Sequence, residues 1–459
     1  MSETCLKARL TVIGGGGAGL CAAVTAMQNG VRDIVVLEKS HFIGGNSRMA
    51  GGHLFGAPTQ EEQDEAFRRL LRGNHYKVEP KNLRAFIENA SGTIEFFKSI
   101  GIGYHPGFDQ NMNVMDADKH PFGNFVKATR RMTELLLEGG NTVLKDTGVT
   151  GIQRDAEGRV CRVLAETADG DTVIVDTEAA VITTGGFGGN SELLHKYFPN
   201  EYSDNFHRDA LPLDGSGIDV ARSAGAKLND YAVIIKENAY SCDSYNGAPN
   251  RAAHNPMSLW VNKLGQRFAD ESYTRNESSN ALVRQPDMIG YALFDTAVME
   301  RTPELDMGPF AHDPRPELEA ERRRGDEWVC IAEDLDTIAR WMGCKPEELK
   351  ASVDEYNEDC DKGRDRWFCK DPKFLVPLRK APFYAIKFRP IIIDTIGPIV
   401  VNERMQVLGQ DSRPIPGLYA AGVCTAGWQG NDCHPMGWAL GYSTTSGRIA
   451  GKSIAEYLQ

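Results

Sequence analysis

The residues best placed to do chemistry are a glycine run and an acid that follows it. Gly14-Gly-Gly-Gly-Ala-Gly19 comes directly after the β-branched run 9–13 and before a helix-forming stretch at 20–28. A second apolar strand at 33–37 then ends on Glu38. Strand, glycine turn, helix, strand and acid, in that order, is what a bound dinucleotide requires. Gly14 allows the tight turn, Gly16 lets backbone N–H groups approach a pyrophosphate, and Gly19 lets the helix lie close to the strand. The helix N-terminus adds its positive dipole to the phosphates. Glu38 offers a carboxylate to the ribose hydroxyls and disfavours a 2′-phosphate, which argues against NADP.

A second cluster, Ile43-Gly-Gly-Asn-Ser-Arg-Met-Ala-Gly-Gly52, follows at once. A nicotinamide site has no need of it, whereas a longer cofactor with a tricyclic ring has. Glycine makes up 47 of 459 residues, well above the average of about 7%. The excess gathers at predicted strand ends, where backbone must come close to something bulky.

The elements that carry these groups read as α/β. A capping box, Thr59-x-x-Glu62, opens a helix that runs to Gly73, and a second helix spans 80–100. Residues 143–183 are expected to form a β-meander that returns to the glycines through Ala180-Val-Ile-Thr-Thr-Gly-Gly186. From Tyr231 the texture becomes irregular, with helical pieces at 335–342 and 346–360. Gly417-Leu-Tyr-Ala-Ala-Gly422 is again strand-to-glycine, and a closing helix occupies 437–457.

Composition narrows the function classes. A length of 459 residues suggests two or three domains. The net charge is −12 and no run of five Lys/Arg residues occurs, so nucleic acid is not an expected partner. No apolar stretch reaches the roughly 18–20 residues that span a bilayer. The first ten residues lack the apolar core of a signal peptide, and the expected location is cytoplasmic. None of the ten cysteines is spaced C-x-x-C. Zinc ribbons and cubane clusters therefore have no support, and no metal is expected.

Motifs along nearly the whole chain resemble the fumarate reductase/succinate dehydrogenase flavoprotein superfamily, which includes soluble fumarate reductases, urocanate reductases and ketosteroid dehydrogenases. The matching stretches are Val12–Leu20, Glu38-Lys39 with Gly44–Ser47 and Ala50–Gly52, and Thr184-Gly-Gly-Phe187. Asp214–Ala221, Gly265-Gln-Arg-Phe268 with Glu271 and Arg275, Ala381–Tyr384, Gly417–Gly422 and Gly447–Gly451 continue the series in the family's order. The resemblance implies a Rossmann-like, glutathione-reductase-like FAD-binding domain with an inserted α+β capping domain. Expected boundaries are 1–230 and 392–459 for the FAD-binding domain and 231–391 for the capping and substrate domain.

It further implies FAD contacts at Gly14, Gly16, Ala18, Gly19, Glu38, Asn46, Ser47, Gly51 and Gly52, and also at Val149, Gly186, Gly217, Gly422, Ala439 and Leu440. No histidine stands near Asn46 where some relatives attach FAD covalently, so non-covalent FAD is implied. With no second glycine fingerprint after a strand, electrons are expected to pass to or from an external molecule.

For the reaction, the resemblance puts the proton-donating arginine at Arg275. The residue's own chemistry leaves other roles open, because a guanidinium hardly deprotonates: a relay, electrostatic stabilisation, or a structural pair with Glu271 or Asp270. Asp394, in Asp394-Thr-Ile-Gly397, stands where fumarate reductases have histidine. His434 falls near their substrate-gripping arginine, and Val423 replaces a glutamate. The family's proton relay falls near Arg251 and His254. Those exchanges remove positive charge that would hold a dicarboxylate. The expected function is therefore an FAD-dependent oxidoreductase of a CH–CH/C=C bond beside an electron-withdrawing group, as an ene-reductase on a small molecule other than fumarate. A desaturating dehydrogenase, or an isomerase or hydratase without net redox, are the alternatives.

Overall fold

The computed structural model describes residues 2–103, 105–106, 112–113, 125–207, 213–239, 248–272, 275–302, 313–431 and 437–459. For 105, 106, 112, 113, 248, 275 and 276 the description covers the backbone alone.

The chain opens with β1 (Glu3–Ile13), α1 (Gly17–Gln28), β2 (Ile34–Leu37) and β3 (His53–Leu54). Helices α2 (Gln60–Gly73) and α3 (Pro80–Ser99), short strands β4 (His105–Pro106) and β5 (Met112–Asn113), and α4 (Val126–Glu138) follow. The capping box forms: Glu62 N–H donates to Thr59 Oγ1 at 3.3 Å, and Thr59 N–H donates to Glu62 Oε2 at 2.9 Å. Next come β6 (Thr142–Leu144), β7 (Thr147–Arg154), β8 (Val160–Thr167), β9 (Thr172–Ile182), α5 (Ser191–Tyr197) and α6 (Ser216–Ser223).

The middle of the chain holds β10 (Val233–Ala239), α7 (Ala248–Ala253), β11 (Leu259–Asn262), α8 (Arg275–Leu282) and β12 (Gly290–Asp295). It continues with α9 (Thr296–Arg301), α10 (Arg315–Arg323), β13 (Val329–Ala332), α11 (Leu335–Met342), α12 (Pro346–Asp361) and β14 (Phe383–Ile396). Strands β15 (Gln406–Leu408) and β16 (Pro414–Ala420) and helix α13 (Trp438–Tyr457) close it.

Two compact units result. The first comprises Met1–Phe198, Leu211–Ile234 and Asp394–Gln459, and the second Pro199–Ala210 and Ile235–Ile393. Pro199–Ala210, grouped by sequence with the first unit, goes with the second because of its hydrogen bonds. His207 N–H donates to Pro390 O at 2.8 Å, Ile392 N–H donates to His207 O at 3.1 Å, and Lys236 donates to Glu201 at 2.9 Å.

The first unit is built on an eight-stranded sheet in the order β15-β16-β9-β1-β2-β6, with β7 and β8 continuing from β9. Pairs β16–β9, β9–β1, β1–β2 and β2–β6 are parallel. This is a mixed α/β fold with a parallel sheet. β2 is buried at every residue, and its unbroken Ile-Val-Val-Leu run is what a strand covered on both faces requires. Only part of 143–183 is a meander. β6 joins the parallel sheet beside β2, while β7, β8 and β9 run antiparallel. Helix α13 lies close on α1, because a Cβ at Gly447 would meet Ala18 O at 2.2 Å.

The second unit contains a five-stranded sheet, β10-β14-β12-β11 with β13 beside β14. Its core includes Trp260, Phe294, Tyr356 and Phe388. Beside them lies a buried ion cluster. Glu271 accepts from Trp260 N–H at 2.9 Å, from Arg267 at 3.0 and 2.9 Å, and from Lys370 Nζ at 3.0 Å. Arg267 also donates to Asp365 at 2.8 Å. Burial pushes the Glu271 carboxyl up, but Lys370 and Arg267 outweigh it and hold it below the usual carboxylate range.

Candidate functional site

The β1–α1 turn closes on itself through backbone. Gly14 has φ +102, its N–H donates to Leu37 O at 2.8 Å, and its own carbonyl accepts from Thr183 Oγ1 at 2.8 Å. A side chain at Gly19 would place Cβ 2.1 Å from Gly14 O, so the helix can begin where it does only with glycine there. At Gly16, which caps α1, a Cβ would meet nothing within 4 Å. The first turn of α1 carries no acid. Open space at a helix N-terminus whose own first turn carries no acid suits a pyrophosphate. Buried Glu38 accepts from Gly15 N–H through Oε2 and from Ser40 N–H through Oε1, each at 2.8 Å. A carboxylate has about four acceptor positions, so it can still receive ribose hydroxyls. These residues fit FAD.

The second glycine cluster packs on the first. Gly44 N–H donates to Gly15 O at 2.9 Å, and Gly17 N–H donates to Ser47 Oγ at 3.2 Å. Asn46 and Ser47 lie in a 3₁₀ turn, Gly45–Met49, and Gly51 and Gly52 lead into β3. Val149 lies on β7 opposite Ala165, two residues past Thr147, whose N–H donates to Glu38 O at 2.8 Å. Gly186 abuts Thr395, and that hydroxyl accepts from Phe187 N–H at 2.6 Å. Gly217 lies in the first turn of α6, where a Cβ would fall 1.8 Å from Thr184 Oγ1. Gly422 N–H donates to Ser446 Oγ at 3.0 Å, and a Cβ at Gly422 would meet that of Ala18 at 2.9 Å.

Ala439 and Leu440 sit in the first turn of α13. An aromatic group holds that turn: Trp438 Nε1 donates to Gln429 at 2.7 Å, Phe86 meets Trp438 at 4.6 Å, and Trp428 stacks on Tyr442 at 3.8 Å. All the expected cofactor residues belong to the first unit. Thr183, Thr395 and Ser446, whose hydroxyls tie those loops together, were not singled out from sequence. Burial raises the Cys424 thiol to about 12, so it stays protonated beside this loop.

Asp394, near the end of β14, is partly exposed, and its Oδ1 accepts from Thr395 N–H at 3.2 Å. Because Thr395 clamps Phe187, Asp394 stands at the edge of the loop that holds Gly186. Arg275 opens α8, and its side chain lies outside the described residues. Asp270 accepts from Ser272. His434 lies outside the described residues. Arg251 is in α7, and His254 Nδ1 lies 2.7 Å from Asn250 O. Among the described residues no helix is long and apolar enough to cross a membrane, and no group of three or more His, Cys, Asp or Glu could hold a metal ion.

The family model described as "FAD binding domain" matches residues 10–435. Among curated proteins, the chain is 28% identical over 472 residues to the NADH:fumarate oxidoreductase of Klebsiella pneumoniae, covering 98% of this chain but 46% of that one. It therefore spans less than half of that relative. It is 25% identical over 486 residues to the vinyl phenol reductase of Lactiplantibacillus plantarum, covering 98% of this chain and 96% of that protein. The 3-ketosteroid Δ1-dehydrogenase of Sterolibacterium denitrificans shares the fold, with TM-score 0.81, 20% identity, and 98% and 99% of the two chains covered.

Proposed function

The chain belongs to the FAD-binding-domain family, and on that premise we propose that it reduces a carbon–carbon double bond beside a carbonyl or other electron-withdrawing group. The proposed substrate is neutral or phenolic, with electrons supplied by a separate donor. The observation that carries this reading is Asp394, a partly exposed carboxylate at the Gly186 loop. A substrate carboxylate beside it would meet like charge in a partly desolvated place, which opposes binding. Similarity to vinyl phenol reductase along 96% of that enzyme's length supports the same substrate class.

When bound, FAD supplies hydride transfer at N5. The rest falls to the chain's own groups. The Gly14–Gly19 turn and α1 hold the pyrophosphate, Glu38 the ribose, and the 44–52 cluster with Gly186 and Gly422 the remainder. Arg275, leading α8, delivers the proton to the second carbon or stabilises charge developing there. Asp394 accepts a hydrogen bond from a substrate hydroxyl, and His434 donates one to the activating carbonyl.

Anaerobic photoreduced enzyme mixed with a vinyl phenol, an enone or fumarate tests this. Flavin absorbance should return fastest with one of the neutral acceptors. Reoxidation by fumarate at an equal or greater rate would refute the substrate assignment. Failure with every acceptor, together with bleaching of the oxidised flavin by saturated ketones, would establish the dehydrogenase instead.

A further inference from the structure

Two cations on β14 converge on one indole ring. Lys387 Nζ lies 4.7 Å and Arg389 Cζ 5.3 Å from the centroid of Trp328. Lys387 N–H donates to Trp328 O at 2.9 Å, which fixes the ring beside the strand. Residues two apart on a strand point the same way with Cα atoms about 6.6 Å apart, a gap that one oxyanion between two long side chains can bridge. Among the described residues neither side chain has a carboxylate in ion-pair range, and Arg389 Nε is buried with no acceptor. The described acids nearby are otherwise placed, and Asp326 Oδ1 accepts from Trp328 N–H at 2.7 Å. Asp287 is bound to Lys263 at 2.6 Å, and Glu327 acts on Lys387 only at a distance. Burial, followed by the repulsion of Arg389, lowers the Lys387 ammonium from its ordinary value. The His207 ring, 5.2 Å from Trp328, closes another side.

We propose that Lys387, Arg389 and Trp328 form a binding site for a small oxyanion, the phosphate or carboxylate group of a soluble metabolite. The indole face holds both cations in place by cation–π attraction before the ligand arrives. A bound oxyanion then relieves their mutual repulsion and receives the Arg389 Nε–H, making charge-assisted bonds to both groups. The site is independent of the reading above, because none of its residues is assigned to the flavin or to the reaction.

Calorimetric titration of the FAD-loaded full chain with inorganic phosphate, and separately with succinate, at ionic strength held constant by chloride, tests it. Saturable one-site binding of at least one anion is expected, and the tighter of the two identifies the source. Arg389→Gln and Lys387→Gln should each weaken it by at least about tenfold. Lys387→Arg, which keeps charge and stacking, should bind within about threefold of the parent. Binding should quench tryptophan fluorescence in the parent and not in Trp328→Phe. Absence of saturable heat with both anions, or equal affinity in a folded Arg389→Gln, would overturn the proposal.

Discussion

The β1–α1 turn and the buried ion cluster of the second unit both hold loops at a set spacing, by opposite means. In the turn, Gly14, Gly16 and Gly19 bring backbone to backbone, and neutral hydroxyls such as Thr183 and Thr395 finish the contacts. In the second unit, Arg267, Glu271, Asp365 and Lys370 do it with full charges removed from water. Packed glycines leave an open cradle for a large ligand. A saturated ion cluster leaves no acceptor free and serves to brace the segment that leads toward α8. The one is shaped to receive something, the other to stay shut.

The largest effect should come from opening the ion cluster. Glu271→Gln leaves Lys370 and Arg267 buried with too little negative charge, and should cost about 3–5 kcal/mol of stability in denaturant titration. Since the folded Glu271 pKa lies below its ordinary value, its stabilising share is complete above the ordinary carboxylate range. It is lost as pH falls through the depressed value. Thermal melts should therefore drop on acidification in the parent and much less in the variant. Equal acid sensitivity in both would place the acid-labile contact elsewhere and break the contrast.

Glu38→Ala probes the open side. It should keep the fold and weaken FAD binding by about 1.5–3 kcal/mol, read from released flavin fluorescence. Part of the loss comes from freeing Gly15 and Ser40 N–H groups. Arg275→Lys should retain FAD while turnover falls more than tenfold, about 1.4 kcal/mol or more in the barrier. A smaller loss would remove Arg275 from proton delivery. The smallest change is a gain: Asp394→His with His434→Arg should raise fumarate reduction from a negligible base in steady-state assays. Robust fumarate reduction by the parent would show that these positions do not face the substrate.

Much of the first unit was legible because its signals are local. The spacing of Gly14, Gly16 and Gly19, the β2 run and Glu38 lie within one βαβ unit, and the capping box spans four residues. Helix α1 nevertheless starts at Gly17, ahead of the expected Leu20, because a glycine-rich first turn hides its helical character. The hydroxyl clamps were invisible for a different reason: Phe187 and Thr395 are 208 residues apart. Lys370 meets Glu271 across 99 residues, so no local motif pairs them. The second unit's strands looked irregular because β11 and β13 have only four residues each. β14, with Pro390 in its middle, departs from a simple alternating pattern.

The placement of β16 and α13 has a consequence for the order of synthesis. β16 pairs with β9, and α13 lies on α1, so the first unit cannot finish its sheet or complete the cover of α1 until residues 394–459 have emerged from the ribosome. The second unit, nearly all of it in Ile235–Ile393, is complete before then. The nascent chain thus carries a glycine-rich half-sheet, with the α13 side of α1 uncovered, through the translation of more than a hundred residues. It closes the nucleotide cradle last.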